Sequence, residues 1–219
     1  MSTSEQTPRE RMEQILKDND IAVNNAPTPI DEEIILDPNK NIMSKTNPKG
    51  IIEYANEYFM AISGYEEFEL MGQPHNVIRH PDMPKVIFKI MWEELRNGNN
   101  MYAFVKNLAK DGRYYWVIVN FEIQYDEDGE IRSYYAHRKA APAHAIVRIS
   151  KLYKKLRAIE INQNVSVAYK YFKGLLEEEK MNYDDYIASI LDIEKNVITA
   201  YFGEEKPKKK GFFGRLFGQ

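Results

Sequence analysis

Two Asp-Gly turns, Lys110-Asp111-Gly112-Arg113 and Asp126-Glu127-Asp128-Gly129, separate the runs MYAFVKNLA, YYWVIVNFEIQY and IRSYYAHRKA. This pattern constrains the fold most, because a glycine that accepts positive φ between β-branched and aromatic runs closes a tight hairpin. Two successive hairpins make an antiparallel meander over residues 101–140. Upstream, IILD, NIMSKT and IIEYAN also read as strands, with Asn47-Pro48-Lys49-Gly50 as the tight turn between the last two. Between the two β regions, Phe59, Ile62, Tyr65 and Phe68 recur at helical spacing, and Ser63-Gly64 splits them into two short helices. Pro84 begins a third helix through Val86, Ile90, Trp92 and Leu95, which Asn97-Gly98 ends. The expectation is an α+β domain over residues 31–142, a five-stranded antiparallel sheet with helices on one face.

Flanking segments read differently. Residues 1–30 form a mobile arm in which only Glu10 to Lys17, started by Thr7 and Pro8, has helical spacing. Residues 143–203 form a C-terminal helical region. One stripe is Ile146, Ile149, Leu152, Leu156 and Ile159, another is Tyr186, Ile190, Val197 and Tyr201, and the breaks are expected at Gly174 and in 178–184. These helices pack on the sheet or on a second copy; a homodimer through them or through the arm and intramolecular packing both stay open. Residues 204–219 are a tail in which a lysine cluster adjoins Phe212, Phe213, Leu216 and Phe217. Such a tail suits weak, reversible contact of residues 206–219 with an anionic membrane surface, and equally a disordered end.

Composition excludes several classes. A chain with 43% hydrophobic and 29% charged residues is of the globular type, and its net charge of −3 argues against nucleic acid as a partner. It has no cysteine, which removes disulfides, thiolate metal sites and thiol chemistry. The polar N-terminus lacks a signal-peptide core and no apolar stretch approaches the ~20 residues of a membrane span, so a cytoplasmic location is expected, with peripheral contact at the inner face of the membrane through the tail.

The stretches YANEYFMAISGY (54–65), GQPHNVIRHPDMP (72–84), the helix of Phe88 and Trp92, VKNLAKDGRYYWV (105–117) and the strand YYAHRK carry a resemblance. From about Asp31 to about Ala140 the chain resembles the PAS domain of the bacterial aerotaxis receptor family, here as a stand-alone PAS protein. The resemblance implies FAD bound between sheet and helices, read as a proxy for oxygen or electron-transport status in energy taxis. It also implies that Asn56, Arg79, His80, Asp82, Phe88, Trp92 and Asn107 matter for the flavin.

The residue chemistry fits a dinucleotide. Arg79 offers a planar fork for pyrophosphate, and His80 can donate or stack. Asp82 suits holding Arg79 or a ribose hydroxyl, while the amides of Asn56 and Asn107 match the alternating edge of a ring system. Phe88, Trp92 and Trp116 offer stacking walls. Each has a plainer reading: Arg79–Asp82 as a surface ion pair, His75 and His80 as turn caps, Phe88 and Trp92 as core.

Two other readings stay beside FAD, a haem-binding PAS using one of His75, His80, His137 or His144, and a cofactor-free interaction module. A light-driven cysteinyl adduct is excluded, and no catalytic signature points to an enzyme. The aerotaxis family carries a membrane anchor and a methyl-accepting coiled coil that do not fit after Ala140. The expected partner is therefore a separate membrane-bound methyl-accepting chemotaxis-type transducer. Flavin reduction would shift hydrogen bonds at Asn107, and the sheet would pass the change to the helix after Pro142.

Overall fold

The structure is a computed structural model that describes residues 27–193 and Phe202. Strands β1 (Ile42–Thr46) and β2 (Ile52–Ala55) precede helices α1 (Glu57–Ser63) and α2 (Glu67–Leu70), a 3-10 turn (His75–Ile78) and α3 (Lys85–Arg96). Strands β3 (Ala103–Leu108), β4 (Tyr114–Tyr125) and β5 (Ile131–Ala140) follow, then α4 (Ala143–Asn162), α5 (Val165–Glu178) and α6 (Tyr183–Leu191). The five strands form one antiparallel sheet in the order β2-β1-β5-β4-β3. The meander is legible in this order, since β3, β4 and β5 are neighbours joined by the two Asp-Gly turns.

Register sorts the side chains into two layers. Asn107 lies opposite Tyr115, Val105 opposite Val117, Val119 opposite Arg138, and Arg138 opposite Ile42, so these share one face, called inner here. Lys106 opposite Trp116 and Phe104 opposite Ile118 share the outer face. Both layers are buried: Val117 and Ile118, consecutive in β4, are each 0% exposed. Helices cover the inner face, where Trp92 of α3 meets Tyr134 edge-on and Arg138 approaches the Phe59 ring of α1. Helix α4 covers the outer face. Its Tyr153 stacks obliquely on Trp116 and donates its hydroxyl to the Phe104 carbonyl at 2.7 Å, and its Ile149, Leu152 and Leu156 are buried. Among the described residues α4 therefore packs on its own sheet, and α5 and α6 pack on α4.

Two local expectations are revised. Gly174 does not break a helix but lies inside α5; the break falls at Gln163-Asn164, where the Asn164 side chain accepts from Val167 N–H at 3.0 Å and caps α5. Asn182 caps α6 in the same way through Asp185 N–H. The run IILD is not a regular strand: the segment runs beside the start of β4, with Ile30 and Ile34 donating to the Gly112 and Tyr114 carbonyls, and Ile35 faces solvent. The helix expected at Glu10 to Lys17, the positions Val197 and Tyr201, and the tail 206–219 lie outside the described residues.

Gly112 joins this segment to the sheet. It has φ +93°, and a Cβ there would sit 2.4 Å from the Thr28 carbonyl oxygen. Gly112→Ala should cost about 1–3 kcal/mol through left-handed backbone strain, and the collision should free residues 28–34. Limited proteolysis should then cut between Thr28 and Ile35 faster than in wild type. Gly129→Ala, where a Cβ meets nothing within 4 Å, should leave that cleavage unchanged.

Candidate functional site

On the inner face two arginines are buried without an acid. Arg138 comes from β5 because its parity in the strand matches that of Tyr134 and Ala136, and it is 5% exposed. Its guanidinium donates to Ser44 Oγ at 3.0 Å and to His75 Nε2 at 2.9 Å. Arg79 follows the 3-10 turn, bridges its backbone to Asn107 at the edge of β3, and lays its guanidinium 3.9 Å from the Phe88 ring centroid. Its Nε is buried without a hydrogen-bond partner. Neither arginine meets a carboxylate among the described residues. Burial alone pushes Arg79 down to about 10, and burial, little relieved by Tyr115, does the same to Arg138.

Unmet polar groups lie beside these cations. Asn107 Nδ2 and the Tyr115 hydroxyl, opposite one another in register, are both buried and approach one another, yet neither completes a well-formed hydrogen bond. A buried donor left unpaired costs roughly 1–3 kcal/mol. His75 closes the cluster. It stacks on Phe59 and takes donors from Arg138 and Ser44 at Nε2, so the neutral ring carries its proton on Nδ1. Its pKa lies well below the usual value because the ring is buried and Arg138 and Arg79 are near.

The remaining sequence candidates are placed as follows. Phe88 is the shelf under Arg79. Trp92 is wedged between Tyr134 and Gly50, where its indole is 3.0 Å from the position a Cβ would take. Asn56 is spent on the fold: it caps α1 by accepting from Phe59 N–H at 3.0 Å, accepts from Met43 N–H, and donates to the Asn41 carbonyl. Asp82 pairs with Lys106 at 2.7 Å, not with Arg79. His80 serves its own turn, its Nδ1 accepting from Asp82 N–H at 3.1 Å while its ring packs edge-on to Tyr114. Trp116 is on the outer face against Tyr153, which removes it from the walls of this site.

Arg138, Ser44 and Tyr115 are not evident in the sequence as site residues, and His75 is read there only as a turn cap or a haem ligand. The available clue for Arg138 was a charge at an inward parity of a strand whose other inward residues, Tyr134 and Ala136, are apolar or aromatic. Ser44, Asn107, Tyr115 and Arg138 are buried, while His75 and Arg79 keep partial exposure. An open groove of about 780 Å³, lined by Ile90, Glu94, Met101, Ile123, Tyr125 and Tyr183 among others, touches none of them. Arg79 and His75 belong to residues 73–84, which lie with α3 over the buried Asn107 and Arg138.

The two buried histidines set a pH dependence. His75 lies well below 6.5, and His80 is pushed down to about 4 by burial and Lys106, with Asp82 opposing. Both are neutral when folded at pH 7. Below about 6.5 the unfolded chain binds protons that the folded chain does not, so stability is full above 6.5 and falls as pH drops towards 4. Each proton contributes up to about 1.4 kcal/mol per pH unit. Urea midpoints at pH 7, 6 and 5 should fall in sequence, and His75→Gln/His80→Gln should flatten the trend.

Residues 52–136 match the family model described as PAS fold. The chain is 38% identical over 135 residues to the aerotaxis receptor of Escherichia coli (strain K12), covering 62% of this chain and 26% of that protein. It is 28% identical over 86 residues to the biofilm dispersion protein BdlA of Pseudomonas aeruginosa, covering 39% of this chain and 21% of that protein. It is also similar to a light-oxygen-voltage domain solved in a flavin-analogue study, at 21% identity and a TM-score of 0.46, with 51% of this chain and 85% of that one covered. The chain spans about a quarter of the aerotaxis receptor's length or less in these curated relatives. The matched segment and the five-strand order identify a PAS domain within this chain, which is similar in sequence to the aerotaxis receptor.

Proposed function

We propose that this protein is a redox or oxygen sensor of energy-taxis signalling that holds FAD on the inner face of its PAS sheet. The observation that carries this reading is the pair of buried arginines without a carboxylate, next to the unpaired Asn107 and Tyr115 groups. A ligand fitting them is anionic, rich in acceptors and partly aromatic. FAD has all three properties, and the likeness to the aerotaxis receptor favours it over other anions.

Arg79 is assigned to the pyrophosphate, since its guanidinium is a planar fork already oriented by Phe88 and its Nε lacks a partner. Asn107 and Tyr115 would meet polar edges of the ring system. Arg138, held by Ser44 and His75, supplies fixed positive charge to whatever negative charge the ligand carries. When bound, the flavin supplies the redox chemistry. The chain's own residues bind it, exclude water and respond to its charge, which describes a sensor and not a turnover enzyme.

A haem needs an imidazole with a free nitrogen. His75 is the histidine in the inner cluster, and its Nε2 is engaged by Arg138 and Ser44, which makes haem the weaker reading. No described helix is long and apolar enough to cross a membrane. We assign the protein to the cytoplasm, with output through the C-terminal helices to a membrane-bound methyl-accepting chemotaxis-type transducer. Residues 206–219 would add weak contact with anionic lipid.

The purified protein, reconstituted with FAD if colourless, should show a two-band flavin spectrum and release FAD on heating. Arg79→Ala should weaken FAD binding about tenfold or more, the scale of a charged hydrogen bond, while Trp116→Phe, on the other face, should not. A sharp Soret band, or no colour after reconstitution, would contradict this function.

A further inference from the structure

Helix α3 carries Phe88, the shelf of Arg79, but has no capping side chain of its own: its N-cap is Pro84, which makes no side-chain bond. The acceptor comes from α4, remote in sequence. Glu160, 9% exposed, accepts from Val86 N–H at 2.7 Å and from Lys85 N–H at 3.0 Å, meeting two of the amides that a helix start leaves unpaired. One turn earlier on α4, Arg157 donates to the Pro81 carbonyl at 3.2 Å and lies 3.5 Å from the Glu160 carboxylate. Helix α4 thus grips residues 81–86 at one end. Its other end continues from β5, which carries Arg138.

We propose that Glu160, with Arg157, is a positioning residue that couples the state of the inner face to the C-terminal helices through residues 79–86. The proposal rests on the inner face being a ligand site and adds the route by which the ligand is felt. Arg79 and His75, partly exposed, belong to residues 73–84, and the residues that follow Arg79, 81–86, are the ones Glu160 and Arg157 hold, so a ligand bound to Arg79 bears on that segment. By linkage, anything that shifts this segment changes the grip on α4, and loosening α4 changes the segment equally. This path does not run through the sheet. It joins Arg79 to the end of α4 nearest α5, whereas the sheet joins Arg138 to its beginning.

Hydrogen exchange on the full chain tests this, in wild type, Arg79→Ala, Glu160→Gln and the double variant. Glu160→Gln keeps the size and one acceptor oxygen, and should raise exchange of the Lys85 and Val86 amides about tenfold. Arg79→Ala should raise exchange across residues 157–162, and in the Glu160→Gln background that effect should vanish, a non-additivity that a merely structural cap would not produce. Exchange in β4 should stay at wild-type rates in all variants. Unchanged exchange at 157–162 in Arg79→Ala, additive effects, or a uniform rise that includes β4 would overturn the proposal. Flavin absorbance of the same wild-type sample scores the FAD reading separately, because the variants perturb the inner face with or without ligand.

Discussion

One sheet buried on both faces governs the rest of this structure. Once α4 covers the outer face through Tyr153, Phe104 and Trp116, strand parity leaves every second residue of β3, β4 and β5 pointing into a closed interior. Most of those positions are filled by Val105, Val117, Val119 and Ala136, as burial demands. Asn107, Tyr115 and Arg138 occupy the same layer and are the exceptions. Their cost has to be offset by something the surrounding residues do not supply.

The size of that cost separates a structural role from a binding one. The depression of Arg138 from 12.5 to about 10 corresponds to roughly 3 kcal/mol. Hydrogen bonds to Ser44 and His75, and a longer one to the Ala136 carbonyl, have neutral acceptors and return only part of it. For Arg79 the Phe88 ring returns up to about 2 kcal/mol, and no acid completes the balance. On the proposed function, two such cations without an acid would favour an anion, with affinity drawn from charge already in place.

Much of the architecture could be read from local chemistry. The Asp-Gly turns, the Ser63-Gly64 interruption and the start of α3 after Pro84 depend on backbone preferences that a few residues display. What could not be read depends on partners distant in the chain. Asn56 looks like a free amide in sequence, yet its oxygen and nitrogen are consumed by Phe59, Met43 and Asn41. Asp82 looks like a partner for Arg79 three residues away but turns to Lys106. Trp116 looks like a pocket wall, and a shift of one residue in parity places it on the other face. Glu160 gave no signal at all, because a helix cap supplied from more than seventy residues away leaves no local pattern.

On the proposed function, fixed positive charge on the inner face recognises the phosphates of a flavin nucleotide. Isothermal titration of the apo protein with FAD and with riboflavin, which shares the ring system and lacks phosphate, tests it most directly. FAD should bind at least tenfold more tightly than riboflavin, and the difference should shrink in Arg79→Ala. Equal affinity for the two ligands, or a difference that Arg79→Ala leaves intact, would contradict it.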